Sequence, residues 1–152
     1  MTRLENSFEE NTVKTSRILH TMLRVGDMRQ SVDFYTRVLG LQVLRRFDQP
    51  TESYSLTFLG YAKEQHSCVL ELTYNYGINH YDIGNGYGHL AIGVRDCSKA
   101  CAEISALGGE ITMNPTRLDG LNEVIAFIRD PDGYQIELVE RPEDWFIAPV
   151  TK

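Results

Sequence analysis

The sequence has no apolar stretch approaching the roughly 18 consecutive residues from which a membrane-spanning helix is recognised. It also lacks an excess of positive charge, since 15 lysines and arginines face 21 aspartates and glutamates, for a formal net charge of −6. No basic run could neutralise a row of phosphates, so neither a membrane nor nucleic acid is an expected partner. Residues 1–17 are polar and contain no signal-like segment. We therefore expect a cytoplasmic protein with a flexible N-terminal arm over residues 1–17.

Cysteine is scarce, and the three residues present are too few for a disulfide framework. Cys97 and Cys101 are four residues apart in a predicted helix, where they would share one apolar stripe. Together with Cys68 they are expected to be reduced thiols in the protein core.

The length of 152 residues and the apolar share of 42% fit one cooperative unit, or two small modules that share a core. Alternating strand patterns, capped helical stretches and turn-forming residues occur in the same order twice. They predict an α+β fold of two tandem βαβββ modules, over residues 18–77 and 87–140. Residues 141–152 form a tail, in which Trp145 and Phe146 would pack on the surface of the body or on a partner subunit.

The two predicted modules place equivalent signals at equal distances. Each has a histidine in or next to its first strand, an aspartate that caps the next helix and a glycine that ends it. These residues are His20, Asp27 and Gly40 in the first module and His89, Asp96 and Gly109 in the second. The cap follows the histidine by 7 residues (27−20 and 96−89) and the glycine follows it by 20 (40−20 and 109−89). This agreement indicates a duplicated module.

Each module also carries a glutamate that interrupts the apolar run of its last strand. Glu71 follows His20 by 51 residues (71−20), and Glu137 follows His89 by 48 (137−89). A buried carboxylate without a partner is costly, and two imidazoles with two carboxylates suit a borderline divalent cation. We therefore predict that these four residues are metal ligands. An octahedral ion would keep two positions for a substrate with adjacent oxygens, which suggests Lewis-acid chemistry.

Two polar residues accompany the predicted ligands of the first module. Arg24 lies four residues after His20, and Asn75 lies four residues after Glu71. Because alternate residues of a strand share a face, each would project on the same side as its ligand. His66 and His80 have no counterpart in the other module and are expected to be exposed, without a role.

Four segments resemble a known family, and they cover most of residues 18–140. They are LHTMLRVGDMRQSVDFYTRVLG (19–40), VLELTYNYG (69–77), YGHLAIGV (87–94) and VIAFIRDPDGYQIELVE (124–140). The chain resembles the vicinal oxygen chelate superfamily and, within it, the glyoxalase I (lactoylglutathione lyase) family. The resemblance implies the same metal ligands, His20, Glu71, His89 and Glu137.

The resemblance also implies a reaction. The family converts the hemithioacetal of methylglyoxal and glutathione into S-lactoylglutathione, by moving a proton between adjacent carbons through a cis-enediolate. Glu137 is expected to carry the proton, with Glu71 mainly a ligand or a secondary base. Arg24 and Asn75 would hold the γ-glutamyl end of glutathione, the co-substrate, and His89 completes the predicted substrate-binding residues.

The resemblance further implies a metal preference and an assembly. The chain lacks the insertions of longer, zinc-preferring members, so Ni²⁺ or Co²⁺ is expected before Zn²⁺. Members of this size are usually homodimers with metal sites between subunits. His20 and Glu71 of one chain would then meet His89 and Glu137 of the other.

The sequence departs from the family pattern where relatives bind the rest of the thiol. The acidic segment 119–123 stands where relatives commonly have a basic residue for the glycyl carboxylate, and Arg117 is the nearest cation. Asn85 stands where some relatives have an arginine for a carboxylate of the thiol. The proton transfer is therefore predicted more firmly than the identity of the thiol.

Three other functions have the same general architecture. A methylmalonyl-CoA epimerase would need a basic groove for CoA, which the sequence does not show. An extradiol dioxygenase would use two histidines and one carboxylate for iron, and the fourth ligand argues against it. A metal-free drug-binding module would have apolar residues in place of the histidines and glutamates, so metal content separates it from the enzymes.

Overall fold

The computed structural model describes residues 16–146, which form two four-stranded sheets with one α-helix for each. The first half contains β1 (His20–Arg24), α1 (Met28–Asp33), β2 (Gln42–Gln49), β3 (Tyr54–Gly60) and β4 (Val69–Asn75). The second contains β5 (Leu90–Val94), α2 (Cys97–Ala106), β6 (Glu110–Leu118), β7 (Glu123–Arg129), β8 (Gln135–Glu140) and a 3-10 turn at Glu143–Trp145. Both halves have the predicted βαβββ order, so the predicted α+β fold is confirmed. Most of the predicted N-terminal arm and the end of the tail lie outside the described residues.

The two sheets have equivalent strand orders, β1-β4-β3-β2 and β5-β8-β7-β6. In each, the first strand pairs in parallel with the last, and the other neighbours are antiparallel. Glu71 is opposite Phe58 of β3, and Glu137 is opposite Phe127 of β7. The register therefore repeats between the modules, and the strands next to the two histidines, β1 and β5, form sheet edges.

The predicted helix starts are present at both aspartates. The Gln30 N–H donates to the Asp27 carboxylate at 3.0 Å, and the Lys99 N–H donates to the Asp96 carboxylate at 2.9 Å. An aspartate at this position satisfies an N–H group that has no partner inside the helix. Gly40 follows the first helical segment with φ of +74°, a conformation that glycine adopts without a steric penalty.

The first helix is less regular than its sequence predicts. After α1 the chain widens into a π-helical turn over Phe34–Val38, in which the Leu39 N–H donates to the Phe34 carbonyl. The Thr36 hydroxyl donates to the Val32 carbonyl at 2.7 Å. This carbonyl is the one that the Thr36 N–H would use in an α-helix, so the side chain competes with the regular backbone bond.

A single hydrophobic core joins the two modules. Its fully buried members include Tyr35, Leu59, Leu72 and Val25 from the first half and Cys97, Ile128, Ile136 and Leu138 from the second. Cys97 and Cys101 are buried and free, as predicted. Cys68 is also free but exposed, which corrects the prediction of a core thiol. It lies just before β4, after the polar turn that leads into this strand.

A turn at residues 130–134, called the clasp below, connects the second module to the first. Asp132 accepts hydrogen bonds from the Gly26 N–H at 2.7 Å and from the Ser31 hydroxyl at 2.9 Å. The backbone of Asn79 also passes close to Gly26. A Cβ at position 26 would lie 2.2 Å from the Asn79 carbonyl oxygen. Only glycine fits this contact.

The clasp also supplies a buried hydrogen bond. The Tyr35 hydroxyl donates to Asp130 at 2.7 Å, and the Tyr134 N–H donates to the same carboxylate at 2.8 Å. Burial raises the pKa of Asp130, and burial together with this carboxylate raises the pKa of Tyr35 well above its ordinary value. The Tyr134 hydroxyl donates to the Arg24 carbonyl at 3.0 Å. The clasp therefore fixes the end of β1 that carries Arg24.

The buried thiol Cys97 should make the fold sensitive to alkaline pH. Burial raises its pKa from 9.0 to about 11. The unfolded chain would ionise first, so this contribution to stability is complete below pH 9.0 and is lost as the pH rises towards about 11. Cys97→Ala should be less stable than the parent near neutral pH because it leaves a small cavity.

The stability difference between parent and Cys97→Ala should shrink by on the order of 1–2 kcal/mol between about pH 7.5 and 10.5. Urea unfolding followed by circular dichroism at both pH values measures it. A difference that stays constant over this range would contradict the argument.

Candidate functional site

The first predicted ligand pair is formed between neighbouring parallel strands. Nε2 of His20, at the start of β1, lies 3.0 Å from Oε2 of Glu71 in β4. The histidine side chain is 39% exposed and the glutamate 13%, so the carboxylate is largely shielded while the imidazole is accessible. The Thr73 hydroxyl donates to the other oxygen of Glu71 at 3.2 Å. This carboxylate is therefore held from two sides.

The second pair repeats the first in the other sheet. Nε2 of His89 lies 3.1 Å from Oε2 of Glu137, with exposed side-chain fractions of 42% and 17%. The equivalent of Thr73, two residues after the glutamate, is Val139. Valine has no hydroxyl to donate, so Glu137 lacks the bond that holds Glu71.

A phenylalanine lies against each histidine at an equivalent position. The His20 and Phe58 ring centroids are 5.8 Å apart, and those of His89 and Phe127 are 5.3 Å apart, both in edge-to-face geometry. Such contacts restrict the orientation of the imidazole ring. Each phenylalanine follows its histidine by 38 residues (58−20 and 127−89), a repeat signal that sequence analysis did not use.

The structure brings each histidine to its own glutamate but does not bring the four residues together. Within residues 16–146 of one chain, no three His, Cys, Asp or Glu side chains are close enough to hold a metal ion. Each pair offers one nitrogen and one carboxylate, which is half of the predicted ligand set. A four-ligand site would therefore need pairs from two copies of the chain.

The predicted substrate-binding residues Arg24 and Asn75 both contact Tyr81, which sequence analysis missed. The Asn75 side-chain amide donates to the Tyr81 hydroxyl at 2.9 Å. The Arg24 guanidinium lies 5.9 Å from the centroid of the Tyr81 ring. Tyr81 lies in the irregular loop between the modules, where no strand or helix periodicity marks it.

A cavity of about 290 Å³ lies beside these residues and is lined in part by Arg24, Tyr81, Asp82 and Tyr134. A cavity of this volume could hold an amino-acid-sized group, and Arg24 would offer it a guanidinium. The larger cavity, of about 730 Å³, lies along β5 and α2 and is lined mainly by apolar side chains. Neither of these two cavities is lined by the four predicted metal ligands, but Arg24 lines the smaller one, which is therefore the better candidate for binding a carboxylate of the substrate.

The acidic segment near β7 is partly neutralised by its own surroundings. Glu123 pairs with Arg141 at 2.9 Å, and Arg117 donates to the Asn122 side chain at 2.9 Å. Arg117 is thus engaged in its own hairpin.

His66 and His80 are exposed, as predicted.

Each of the two aromatic residues of the tail lies beside an arginine. Trp145 lies beside Arg141 and Phe146 beside Arg95, with guanidinium-to-ring distances of 5.1 and 5.2 Å. Phe146 thus contacts the body, whereas Trp145 contacts a residue of the tail itself, and both side chains stay exposed. No helix in the described part of the chain is long and apolar enough to cross a membrane.

Comparison with known proteins gives consistent matches. Residues 17–138 match the family model of the Glyoxalase/Bleomycin resistance protein/Dioxygenase superfamily. The lactoylglutathione lyase of Escherichia coli O157:H7 is 49% identical over 127 residues, which cover 84% of this chain and 94% of that protein. Glyoxalase I of Zea mays is 45% identical with a TM-score of 0.81, covering 84% of this chain and 45% of that one. This chain therefore spans about half the length of the maize protein.

The trypanothione-dependent glyoxalase I of Leishmania major is 47% identical with a TM-score of 0.73, covering 83% of this chain and 87% of that one. Residues 17–138, which match the family model, contain both His–Glu pairs and the clasp. The fold, the repeated strand register and the sequence identity thus all indicate the same family. The chain belongs to the glyoxalase I (lactoylglutathione lyase) family of the Glyoxalase/Bleomycin resistance protein/Dioxygenase superfamily.

Proposed function

We propose that this chain is a lactoylglutathione lyase, which isomerises the hemithioacetal of methylglyoxal and glutathione to S-lactoylglutathione. The observation that carries the proposal is the pair of His–Glu contacts, at 3.0 and 3.1 Å, in equivalent positions of the two sheets. The relatives at about half identity support it, since they are lactoylglutathione lyases. Methylglyoxal detoxification would be the physiological role.

The donor set fits a divalent metal ion. His20 and Glu71 would hold it with His89 and Glu137, and the largely shielded carboxylates would gain the cationic partner that burial demands. When bound, such an ion would act as a Lewis acid that stabilises negative charge on the two adjacent oxygens of the substrate. Ni²⁺ or Co²⁺ is proposed before Zn²⁺, because both suit octahedral nitrogen and oxygen ligands.

Glu137 is proposed as the base that moves the proton. It would take the proton from the carbon that bears sulfur and return it to the neighbouring carbonyl carbon. The hydroxyl proton on the first carbon would pass to the former carbonyl oxygen, so that no atom is gained or lost. Thr73 supports this choice, because its hydroxyl holds Glu71 while Val139 leaves Glu137 without that bond. Glu71 would serve mainly as a ligand.

The thiol would be oriented by residues at the end of β1 and β4. Arg24 can bind the carboxylate of the γ-glutamyl group with two parallel hydrogen bonds, and Asn75 can accept from its ammonium group. The acidic segment 119–123 does not favour a glycyl carboxylate, and one relative in the comparison uses trypanothione. Glutathione is nevertheless proposed as the thiol, because the relatives at about half identity are lactoylglutathione lyases, and a less anionic thiol is the alternative.

We also propose a homodimer whose two metal sites each combine the first module of one chain with the second module of the other. The separation of the two pairs within one chain supports it. So do exposed apolar residues in and just before β1, which are Ile18, Leu19 and Met22 at 74%, 58% and 43% exposure. Edge strands are commonly covered by a partner. The three free cysteines are consistent with a cytoplasmic location.

Metal removal and reconstitution test the function. Protein stripped with a chelator should lose activity, measured as thioester absorbance formed from methylglyoxal and glutathione. Reconstitution with Ni²⁺ or Co²⁺ should restore it, and Zn²⁺ should restore little. The chain treated identically without added metal is the control.

Two outcomes would overturn parts of this proposal. Stoichiometric metal binding without isomerisation by any of the three ions would show that the site serves another substrate, such as an acyl-CoA. Failure to bind metal at all would favour a binding module instead of an enzyme.

A further inference from the structure

We propose that Tyr81 is a positioning residue, which holds Arg24 and Asn75 in the arrangement that receives the γ-glutamyl end of the thiol. This inference rests on the proposed function. Its basis is that one side chain contacts both residues, through its hydroxyl on one side and its ring on the other. The role differs from proton transfer, and Tyr81 belongs to neither His–Glu pair.

The hydroxyl of Tyr81 fixes the amide of Asn75. The amide nitrogen donates to this hydroxyl at 2.9 Å, so the carbonyl end of the side chain points elsewhere. A tyrosine hydroxyl can accept or donate, and in this contact it accepts from the amide nitrogen. With the nitrogen held by Tyr81, the carbonyl oxygen of Asn75 remains as an acceptor, which matches the ammonium group of a γ-glutamyl ligand.

The ring of Tyr81 supports the guanidinium of Arg24. The distance of 5.9 Å from the guanidinium carbon to the ring centroid is within the range of a cation–π contact. Within residues 16–146 no carboxylate forms an ion pair with Arg24, so its charge is available to a ligand. The Tyr134 hydroxyl holds the Arg24 carbonyl, so backbone and side chain are fixed by different tyrosines.

Removal of the hydroxyl and removal of the ring separate the two contacts. Tyr81→Phe keeps the ring beside Arg24 but releases the Asn75 amide, and it should raise KM for the glutathione adduct about 5-fold. Tyr81→Leu loses both contacts and should raise KM further, by about 20-fold in total. For both variants kcat should stay within about twofold, because the proton-transfer residues are untouched.

A truncated substrate distinguishes positioning from general damage. The methylglyoxal hemithioacetal of N-acetylcysteinylglycine lacks the γ-glutamyl group and has no free amine beside its thiol to form a thiazolidine, so Tyr81 variants should change its KM by less than about twofold. Tyr76→Phe is the matched control. It removes a tyrosine hydroxyl that makes a 2.9 Å hydrogen bond with Ser55 and not with Asn75, and it should leave the kinetics with both substrates unchanged.

Steady-state kinetics of the metal-loaded parent and the three variants with both adducts is the deciding experiment. A KM effect confined to the glutathione adduct supports the proposal. An equal effect on both adducts, a fall in kcat alone, or no effect in either Tyr81 variant overturns it. A parent that isomerises neither adduct overturns the proposed function, and this inference with it.

Discussion

Replacement of Glu137 by glutamine should lower kcat for the isomerisation by about 10²–10⁴-fold, the contribution typical of a positioned general base. Glutamine has nearly the same shape but cannot accept a proton from carbon. The fold should be unaffected, because Glu137 contacts His89 at the open face and its side chain is still 17% exposed. Metal-loaded parent and variant should be compared by thioester absorbance, with metal content measured for each.

Glu71→Gln is the matched comparison, since it makes the same change in the equivalent position of the other module. It should cost less, because Glu71 is already held by the Thr73 hydroxyl and is proposed as a ligand. Rates should be expressed per bound metal, so that loss of a ligand is not counted as loss of a base. Equal losses in the two variants would mean that the carboxylates share the proton transfer, and full activity of Glu137→Gln would remove this residue from the mechanism.

Two inactive variants should restore activity when they share a dimer. One carries His20→Gln and Glu71→Gln, and the other carries His89→Gln and Glu137→Gln. In the proposed dimer, a mixed pair has one site with four damaged ligands and one site that is intact. Because one of its two sites is intact, the isolated mixed dimer should reach about half of the parent activity per dimer.

The experiment is done by co-expressing the two chains with different tags and isolating the mixed dimer. Each variant alone should show activity near background. The control mixes parent chains carrying the same two tags, which should retain full activity. If all four ligands came from one chain, the mixed dimer would be as inactive as its components, and the proposed shared site would be wrong.

Most of what could be predicted about the fold and the two His–Glu pairs came from the equal spacing of the two repeats. The repeat predicted that His20 and Glu71 belong to one site, whereas their contact depends on the parallel pairing of the first strand with the last, which only the structure shows. The π-helical turn was not predictable from apolar periodicity. It depends on the Thr36 hydroxyl choosing a backbone acceptor, and threonine is common in ordinary helices.

Contacts that depend on loops were beyond the sequence. Tyr81 contacts Arg24 and Asn75 from a loop that has no strand or helix periodicity. Nothing in the sequence distinguishes this tyrosine from the other tyrosines of the chain. Asp130-Pro131-Asp132-Gly133 has the residue types of a tight turn, but the hydrogen bonds of Asp132 to Gly26 and Ser31 depend on how the modules pack. Local patterns specify elements, whereas the partners of a turn are decided by the tertiary arrangement.

The clasp has a thermodynamic consequence for the proposed dimer. Because it fixes the two modules of one chain relative to each other, both half-sites of that chain are presented in one rigid orientation. A second copy related by a twofold axis then completes two sites in a single association step. Metal affinity and dimer affinity become linked quantities: metal that binds only the complete site must tighten the dimer, and dilution must release metal from both sites together.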